Sequence, residues 1–240
     1  MAIGKLYLIP CFIHEENPFV LLPDYLKSLA TLRLFIVENI RTARRFIKTV
    51  IPEFDINACT FWEIDKHAPN QSFSELWALV MQGQDLGLLA EAGSPCIADP
   101  GSSIVSEAHR RGIPVKPWIG PTSIALALMA SGLNGQGFTF HGYLPSRSKE
   151  ELSKKIKTLD QQAWSSGYTQ ICIETPYRNQ QLFPALLNNL REDTILAIAV
   201  DLSAPSELII SKSIRSWKQS NLEDIQKRPA IFLFNRPALN

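Results

Sequence analysis

The sequence predicts two α/β domains, the first built on a mostly parallel sheet and the second on a mixed sheet. Apolar runs alternate with helical patterns through the first half, which is typical of βαβ units. Near the end, three strand-like segments follow one another with short connections. Composition is that of a globular protein, with 45% hydrophobic and 20% charged residues. The 240 residues suffice for two domains, which we place at 1–118 and 119–240.

Strands and helices are expected to alternate in the first half. Continuous apolar runs such as LFIV and LGLLA are typical of strands buried on both faces. Helices are predicted where apolar residues recur at helical spacing, and Ser72 is expected to cap one of them, with Glu75 three residues later. The predicted strands cover 5–10, 34–39, 58–64, 85–90 and 113–119, and the predicted helices cover 22–32, 40–51, 72–83 and 101–112.

The second half changes character towards its end. Its last three strand-like segments leave no room for crossover helices, so part of the second sheet must be antiparallel. The glycines of GLNGQG are in the wrong order for a nucleotide loop and indicate a helix end followed by a turn. The predicted helices cover 122–133, 149–163 and 178–190, and the predicted strands cover 138–145, 168–175, 194–202, 206–217 and 230–235.

Charge and cysteine usage narrow the function classes. The net charge of +1 gives no global basic field for nucleic acid, although a local basic groove stays open. The four cysteines are far apart and predict buried, reduced thiols. The histidines show no metal-ligand spacing, so HEENP at 14–18 is interpreted as a surface loop and no metal is expected. With neither a signal peptide nor a membrane-length apolar run, we expect a cytoplasmic protein without membrane contact.

Two glycine- and proline-rich loops follow the predicted fourth and fifth strands, and neither carries a nucleotide or nucleophile-elbow motif. In EAGSPCIADPG, Gly93 and Pro95 bracket Ser94, which leaves a small, stiff backbone that a ligand could approach. Asp99 is predicted to cap the next helix. Loops at adjacent strand ends of a parallel sheet favour a small-ligand cleft, and ordinary helix starts are the alternative.

These loops and their neighbours carry a family resemblance. AEAGSPCIADPG, HRRGIPVKPWIGPTSIALALMASGL and FTFHGYLPSRSKEE resemble the tetrapyrrole methylase superfamily. Within it, the sequence is most similar to the ribosomal RNA small-subunit 2′-O-ribose cytidine methyltransferases. The similarity extends to GKLYLIP, VENIRTARRFI, IETPYR and AIAVDLSAPSE, in the expected order over nearly the whole chain.

The resemblance implies a tetrapyrrole-methylase-like fold that binds S-adenosylmethionine in the cleft between its two domains, and that forms a homodimer. It also implies which residues of this chain contact the cofactor. They are Pro10, Ala92, Gly93, Ser94, Ile97, Thr122, Ser123 and Asp201.

For transfer to a ribose hydroxyl, a general base within hydrogen-bond reach would help. Glu174 is the first candidate, with Tyr177 and Arg178 as orienting groups. A structural ion pair between Glu174 and Arg178 is the alternative.

Departures from the family pattern concern the acceptor. The loop PCFIHEENP after the first strand has no glycine, and Glu38-Asn39-Ile40-Arg41 stands for the family's Glu-Asp-Thr-Arg, so one of its two carboxylates is missing. Ile119-Gly120 stands for Pro-Gly, and Lys227-Arg228-Pro229 stands for Lys-Gly-Glu and lacks its acid. Basic residues within 40–45 and 146–155 could form a rim for ribosomal RNA or the small ribosomal subunit. Two other interpretations stay open. The protein could methylate a small tetrapyrrole-like acceptor, or it could bind the cofactor for regulation without catalysis.

Overall fold

The structure is a computed structural model that describes residues 2–14, 21–64, 71–220 and 225–238. The chain forms two compact units, Met1–Thr122 and Ser123–Asn240. The domain limits expected from the sequence, 1–118 and 119–240, stay a prediction, because compactness alone does not set where a folding domain ends.

The first unit is built on a five-stranded sheet with the order β3-β2-β4-β1-β5, in which all strands are parallel. Each crossover contains a helix, as parallel neighbours require. The strands are β1 (Leu6–Ile9), β2 (Leu34–Val37), β3 (Thr60–Glu63), β4 (Leu86–Leu89) and β5 (Val115–Pro117), and the helices are α1 (Pro23–Thr31), α2 (Ile40–Val50), α3 (Ser74–Met81) and α4 (Ser102–Arg110).

Helices cover both faces of this sheet. Every residue of β2 and β4 is buried, which confirms the prediction from their continuous apolar runs. One face packs around Phe35, Ile47 and Leu89, and the other around Ile36, Leu76 and Leu88. The two faces of the central strands therefore belong to two separate hydrophobic clusters.

The second unit contains a mixed sheet with the order β6-β7-β10-β8-β9, as the short final connections predicted. Only the β6–β7 pair is parallel. The strands are β6 (Phe138–Tyr143), β7 (Thr169–Glu174), β8 (Ile195–Val200), β9 (Leu208–Ser213) and β10 (Ala230–Asn235), and the helices are α5 (Ser123–Ser131), α6 (Lys149–Ser166), α7 (Asn179–Asn189) and α8 (Ile214–Lys218).

Three local predictions are wrong. Ser72 does not cap α3, which begins one residue later with Phe73 at the capping position and no side-chain cap. Asp99 does not cap α4 either, because the chain turns through left-handed conformations until Gly101, which takes the capping position with φ 129°. The predicted strand 206–217 ends at Ser213, whose hydroxyl accepts a hydrogen bond from the amide of Ser216 and so begins α8.

Other expectations concern thiols, membranes and the loop HEENP. All four cysteines are free, with Cys11 and Cys172 buried and Cys59 and Cys96 only half-buried. No helix in the described ranges has the length and apolar character needed to cross a bilayer. Residues 15–18 of HEENP lie outside the described residues.

A buried polar network joins α6 to the start of β8. The Thr194 hydroxyl donates a 2.6 Å hydrogen bond to Oδ1 of Asp160 and accepts one of 2.8 Å from Nε1 of Trp164. Arg191 completes it, with Nε 3.1 Å from Asp160 Oδ2 and its guanidinium above the Trp164 ring. Burial raises the pKa of Asp160, although the Thr194 hydrogen bond and Arg191 act in the opposite direction.

We predict that Thr194→Val destabilises the protein more than Thr194→Ser. Valine fills the same space but leaves the Trp164 indole N–H without its acceptor and an Asp160 oxygen without its donor, at about 1–3 kcal/mol for each buried group. Serine keeps the hydroxyl and is the matched control. Urea unfolding measures the free energy of both variants, and a valine variant as stable as the serine variant would contradict the predicted contribution of the hydroxyl.

Candidate functional site

The carboxyl ends of the parallel strands lie at one edge of the first sheet. Ile9 and Val37 are both paired with Leu89, so β1, β2 and β4 end at the same level. Pro10 directly follows β1, and the segment from Ala92 to Ile97 lies in the loop after β4. This edge is where open parallel sheets bind ligands.

The loop after β4 has a strained backbone. Cys96 and Ala98 adopt φ values of 68° and 65°, which are unfavourable for residues with a Cβ atom. Each such residue costs about 1–3 kcal/mol and persists only where the surroundings impose it. Such strain is found preferentially at functional sites.

Contacts with neighbouring loops fix this conformation. Gly93, with φ 69°, pairs with the segment after β1: its carbonyl accepts from the amide of Cys11 at 2.8 Å and its own amide donates to Phe12 at 3.4 Å. The Ser94 hydroxyl donates a 2.9 Å hydrogen bond to the carbonyl of Pro121. Both backbone polar groups of Gly93 are therefore engaged, so the expected open peptide surface does not include them.

Gly120 is required by a close approach to Pro10. A Cβ atom at position 120 would lie 2.2 Å from Cβ and 2.3 Å from Cγ of the Pro10 ring. The residue after β1 and the loop after β5 thus pack directly on each other. This contact holds the Pro121 carbonyl where Ser94 reaches it.

The two thiols of this region have raised pKa values. Burial, reinforced by the charge of Asp99 and then Glu38, raises the pKa of Cys11 well above its ordinary value. Burial and Asp99 also raise the pKa of Cys96. A raised pKa keeps both thiols protonated at neutral pH, which disfavours a thiolate role for them.

In the second unit, strand register gathers the predicted functional residues at one end of the sheet. Ala230 is paired with Glu174 on one side and with Val200 on the other. The end of β7, the start of β10 and the end of β8 therefore coincide. Asp201 directly follows β8, and Arg228 lies two residues before β10.

The Glu174 carboxylate is buried, with its side chain 1% exposed. Oε1 accepts a 2.7 Å hydrogen bond from the amide of Thr175, and Oε2 lies 2.9 Å from Nη2 of Arg178. The ion pair that was the alternative interpretation is therefore present. Burial, followed by the charge of Glu174, raises the pKa of the nearby Cys172 to about 12.

Three buried polar atoms at this position lack hydrogen bonds from the rest of the described chain: Oε2 of Glu174, Nε of Arg178 and Oδ1 of Asn179. The Arg178 contact to Oε2 is an ion pair without hydrogen-bond geometry. Buried polar groups are normally paired, so a cluster of exceptions indicates a place for water or a ligand.

Asp201 is held by an arginine that the sequence did not assign to the site. Nε of Arg228 donates a 2.7 Å hydrogen bond to Oδ2 of Asp201, and the Ser206 hydroxyl donates to the same oxygen at 2.8 Å. Asn179, which is fully buried, donates to the carbonyls of Ile225 at 3.0 Å and Arg228 at 2.7 Å. Asp201 itself has φ 48°.

The structure brings some of the predicted site residues into contact and leaves others apart. It brings Glu174 and Arg178 into contact, but the Tyr177 side chain is 74% exposed and has no contact that would orient Glu174. Thr122 ends the first compact unit and Ser123 begins the second as the first residue of α5. Among the described residues, no three His, Cys, Asp or Glu side chains are grouped to hold a metal ion.

Sequence comparison identifies relatives over most of the chain. The profile of the Tetrapyrrole (Corrin/Porphyrin) Methylases matches residues 40–217. Ribosomal RNA small subunit methyltransferase I of Vibrio cholerae serotype O1 is 30% identical over 85% of this chain and 67% of its own length. The protein of the same name from Escherichia coli O157:H7 is 33% identical over 86% and 68%, and that from Hydrogenobaculum is 26% identical over 95% and 91%.

We predict that Gly120→Ala destabilises the protein by about 1–3 kcal/mol, since the added methyl group must displace the rigid Pro10 ring. Gly135→Ala is the control, because a Cβ there meets nothing within 4 Å. Urea unfolding gives the free energy of each variant. An unchanged stability of Gly120→Ala would contradict the close packing of the two loops.

Proposed function

Because this chain belongs to the tetrapyrrole methylase family and is a methyltransferase, we propose that it transfers a methyl group from S-adenosylmethionine to a ribose 2′-hydroxyl of small-subunit ribosomal RNA. The names of its relatives support the RNA substrate. Homodimer formation and a cytoplasmic location stay predictions.

One structural observation carries the assignment of the site. In the described chain, the non-glycine residues with positive φ are Cys96, Ala98, Asp201, Ser203 and Lys227. Cys96, Ala98, Asp201 and Ser203 lie in the loops that hold residues assigned to the cofactor, and the Lys227 amide donates a 3.0 Å hydrogen bond to the carbonyl of Pro176, next to Tyr177. Strain concentrated in this way is expected where a backbone is shaped for a ligand rather than for stability.

The residues present fit S-adenosylmethionine. We assign cofactor binding in the first unit to Pro10, Ala92, Gly93, Ser94, Ile97 and Thr122. The apolar side chain of Ile97 is 46% exposed and offers a surface for the apolar part of the ligand. The Ser94 oxygen, which donates its proton to Pro121, still has lone pairs to accept a hydrogen bond.

In the second unit, we assign cofactor binding to Ser123 and Asp201. Arg228 positions Asp201 and compensates its charge, so that the carboxylate remains an acceptor without being an isolated buried anion. When bound, S-adenosylmethionine supplies an electrophilic methyl group on a sulfonium centre.

Glu174 is the residue we assign as general base. Oε2 has no hydrogen bond from the described chain and can accept the proton of an acceptor hydroxyl, while Thr175 and Arg178 hold the carboxylate in place. Positioning of the two reactants contributes the rest, up to about 7–11 kcal/mol in well-oriented systems.

The test uses isolated small ribosomal subunits and S-adenosylmethionine with a tritiated methyl group. The wild-type protein is expected to bind the cofactor in calorimetry and to label the RNA. Glu174→Gln keeps the shape of the side chain, and we predict that it lowers the transfer rate by about 10²–10⁴-fold with an unchanged cofactor affinity.

The possible outcomes separate the alternatives. A Glu174→Gln variant that transfers at the wild-type rate would reduce Glu174 to a structural ion-pair partner. Cofactor binding without transfer to RNA would contradict the ribosomal substrate and favour a small acceptor or a regulatory protein. A wild-type protein that does not bind the cofactor would overturn the proposed activity.

A further inference from the structure

Helix α2 has a basic face with no acidic residue of its own. Arg41, Arg44, Arg45 and Lys48 all lie in it, whereas residues 39–52 contain no Asp or Glu. At about 100° per residue, the four side chains fall within a sector of about 100°. On a chain whose net charge is only +1, this is a local concentration of positive charge.

The opposite face of α2 fixes this orientation. Ala43, Phe46 and Ile47 are buried in the hydrophobic cluster of the first sheet. Because the core side is fixed, the basic side must face away from it. Among the described residues, Arg41, Arg44 and Lys48 form no ion pair with a carboxylate, so their charges are available to an external anion.

Two of these basic residues are also held in place. Nη2 of Arg44 donates to Oδ1 of Asn57 at 3.3 Å, and its guanidinium lies 5.8 Å from the ring centre of Phe61. Nζ of Lys48 donates to the carbonyls of Pro52 and Phe54, the latter at 3.2 Å. Less side-chain freedom is lost when such pre-positioned cations bind an anion.

A cavity of about 210 Å³ adjoins this face. Thr42, Arg45, Phe46 and Thr49 contribute one wall from α2, and the other wall consists of Cys11, Phe12 and Glu91, which follow β1 and β4. The volume is below that of pockets for drug-sized ligands and suits one base or ribose. The Phe12 and Phe46 rings are in edge contact, with centres 5.0 Å apart.

The charges within the cavity determine how an RNA strand would lie. The Glu91 carboxylate disfavours a phosphate inside, while the arginines on α2 favour one outside. A single-stranded RNA satisfies both conditions, because it carries phosphates along one side and neutral bases and riboses along the other. RNA recognition commonly combines a basic track with aromatic contacts to unstacked bases.

We propose that the basic face of α2 and this cavity bind the single-stranded RNA that carries the methyl acceptor, with phosphates on Arg41 and Arg44 and one base or ribose in the cavity. The proposal rests on the proposed RNA substrate and names the surface that receives it. It assigns no such role to α6, where four lysines are interspersed with Glu150, Glu151 and Asp160.

The test compares two double variants that each remove two positive charges. Arg41→Gln/Arg44→Gln removes two of the four positive charges on the face of α2, and Lys154→Gln/Lys157→Gln is the matched control on α6. Glutamine is a good helix former, so both proteins are expected to fold. Fluorescence anisotropy with a short labelled single-stranded RNA of mixed sequence measures affinity over a range of salt concentrations.

We expect the α2 variant to bind at least about tenfold more weakly, and its salt dependence to fall by about 0.7 in slope for each lost phosphate contact. The α6 variant should bind like the wild type. Equal effects of the two variants, or no effect of either, would overturn the proposal.

Cofactor calorimetry and the transfer assay distinguish this proposal from the proposed function. If RNA binds through α2 but is never methylated, the substrate assignment fails and the binding surface stands. If the wild type methylates RNA and the α2 variant does so with unchanged KM, the proposed binding surface is wrong and the proposed function is supported.

Thr49→Trp, which fills the cavity from an exposed helix position, should raise the KM for RNA relative to Thr49→Ala.

Discussion

The hydrogen bonds between Gly93 and the segment after β1 are the constraint on which the site in the first unit depends. They join the loops that follow two adjacent parallel strands, Cys11 on one side and Gly93 on the other. With that pairing made, the chain must turn through the left-handed conformations of Cys96 and Ala98 before α4 begins. The packing of Gly120 on Pro10 adds the loop after β5 to the same assembly.

In the second unit, strand register brings the candidate site residues together. Because Ala230 is paired with both Glu174 and Val200, residues distant in sequence come to one end of the sheet. Arg228 then neutralises Asp201, and Asn179 fixes the backbone that carries Arg228. Oε2 of Glu174 is a buried carboxylate oxygen without a hydrogen bond from the described chain, and it belongs to the group that we propose as the general base.

The sequence predicted what depends on periodicity and short-range order. Apolar runs such as LFIV predicted the buried parallel strands, and the short final connections predicted the mixed sheet. The capping prediction for Asp99 was wrong, because it used only the local sequence pattern. Contacts between loops impose a strained backbone there, and α4 therefore begins after Gly101. The Arg228–Asp201 pair was also missed, because 27 residues separate them and only strand register brings them together.

We propose that strain in the loop after β4 preorganises this loop for the cofactor. Ala98→Gly tests this, because the side chain is exposed and glycine adopts φ 65° without strain. Thermal unfolding without ligand and calorimetry with S-adenosylmethionine are measured on the same protein. We expect the glycine variant to be more stable, by up to about 1–2 kcal/mol, and to bind the cofactor more weakly. Unchanged or tighter binding by the glycine variant would contradict it.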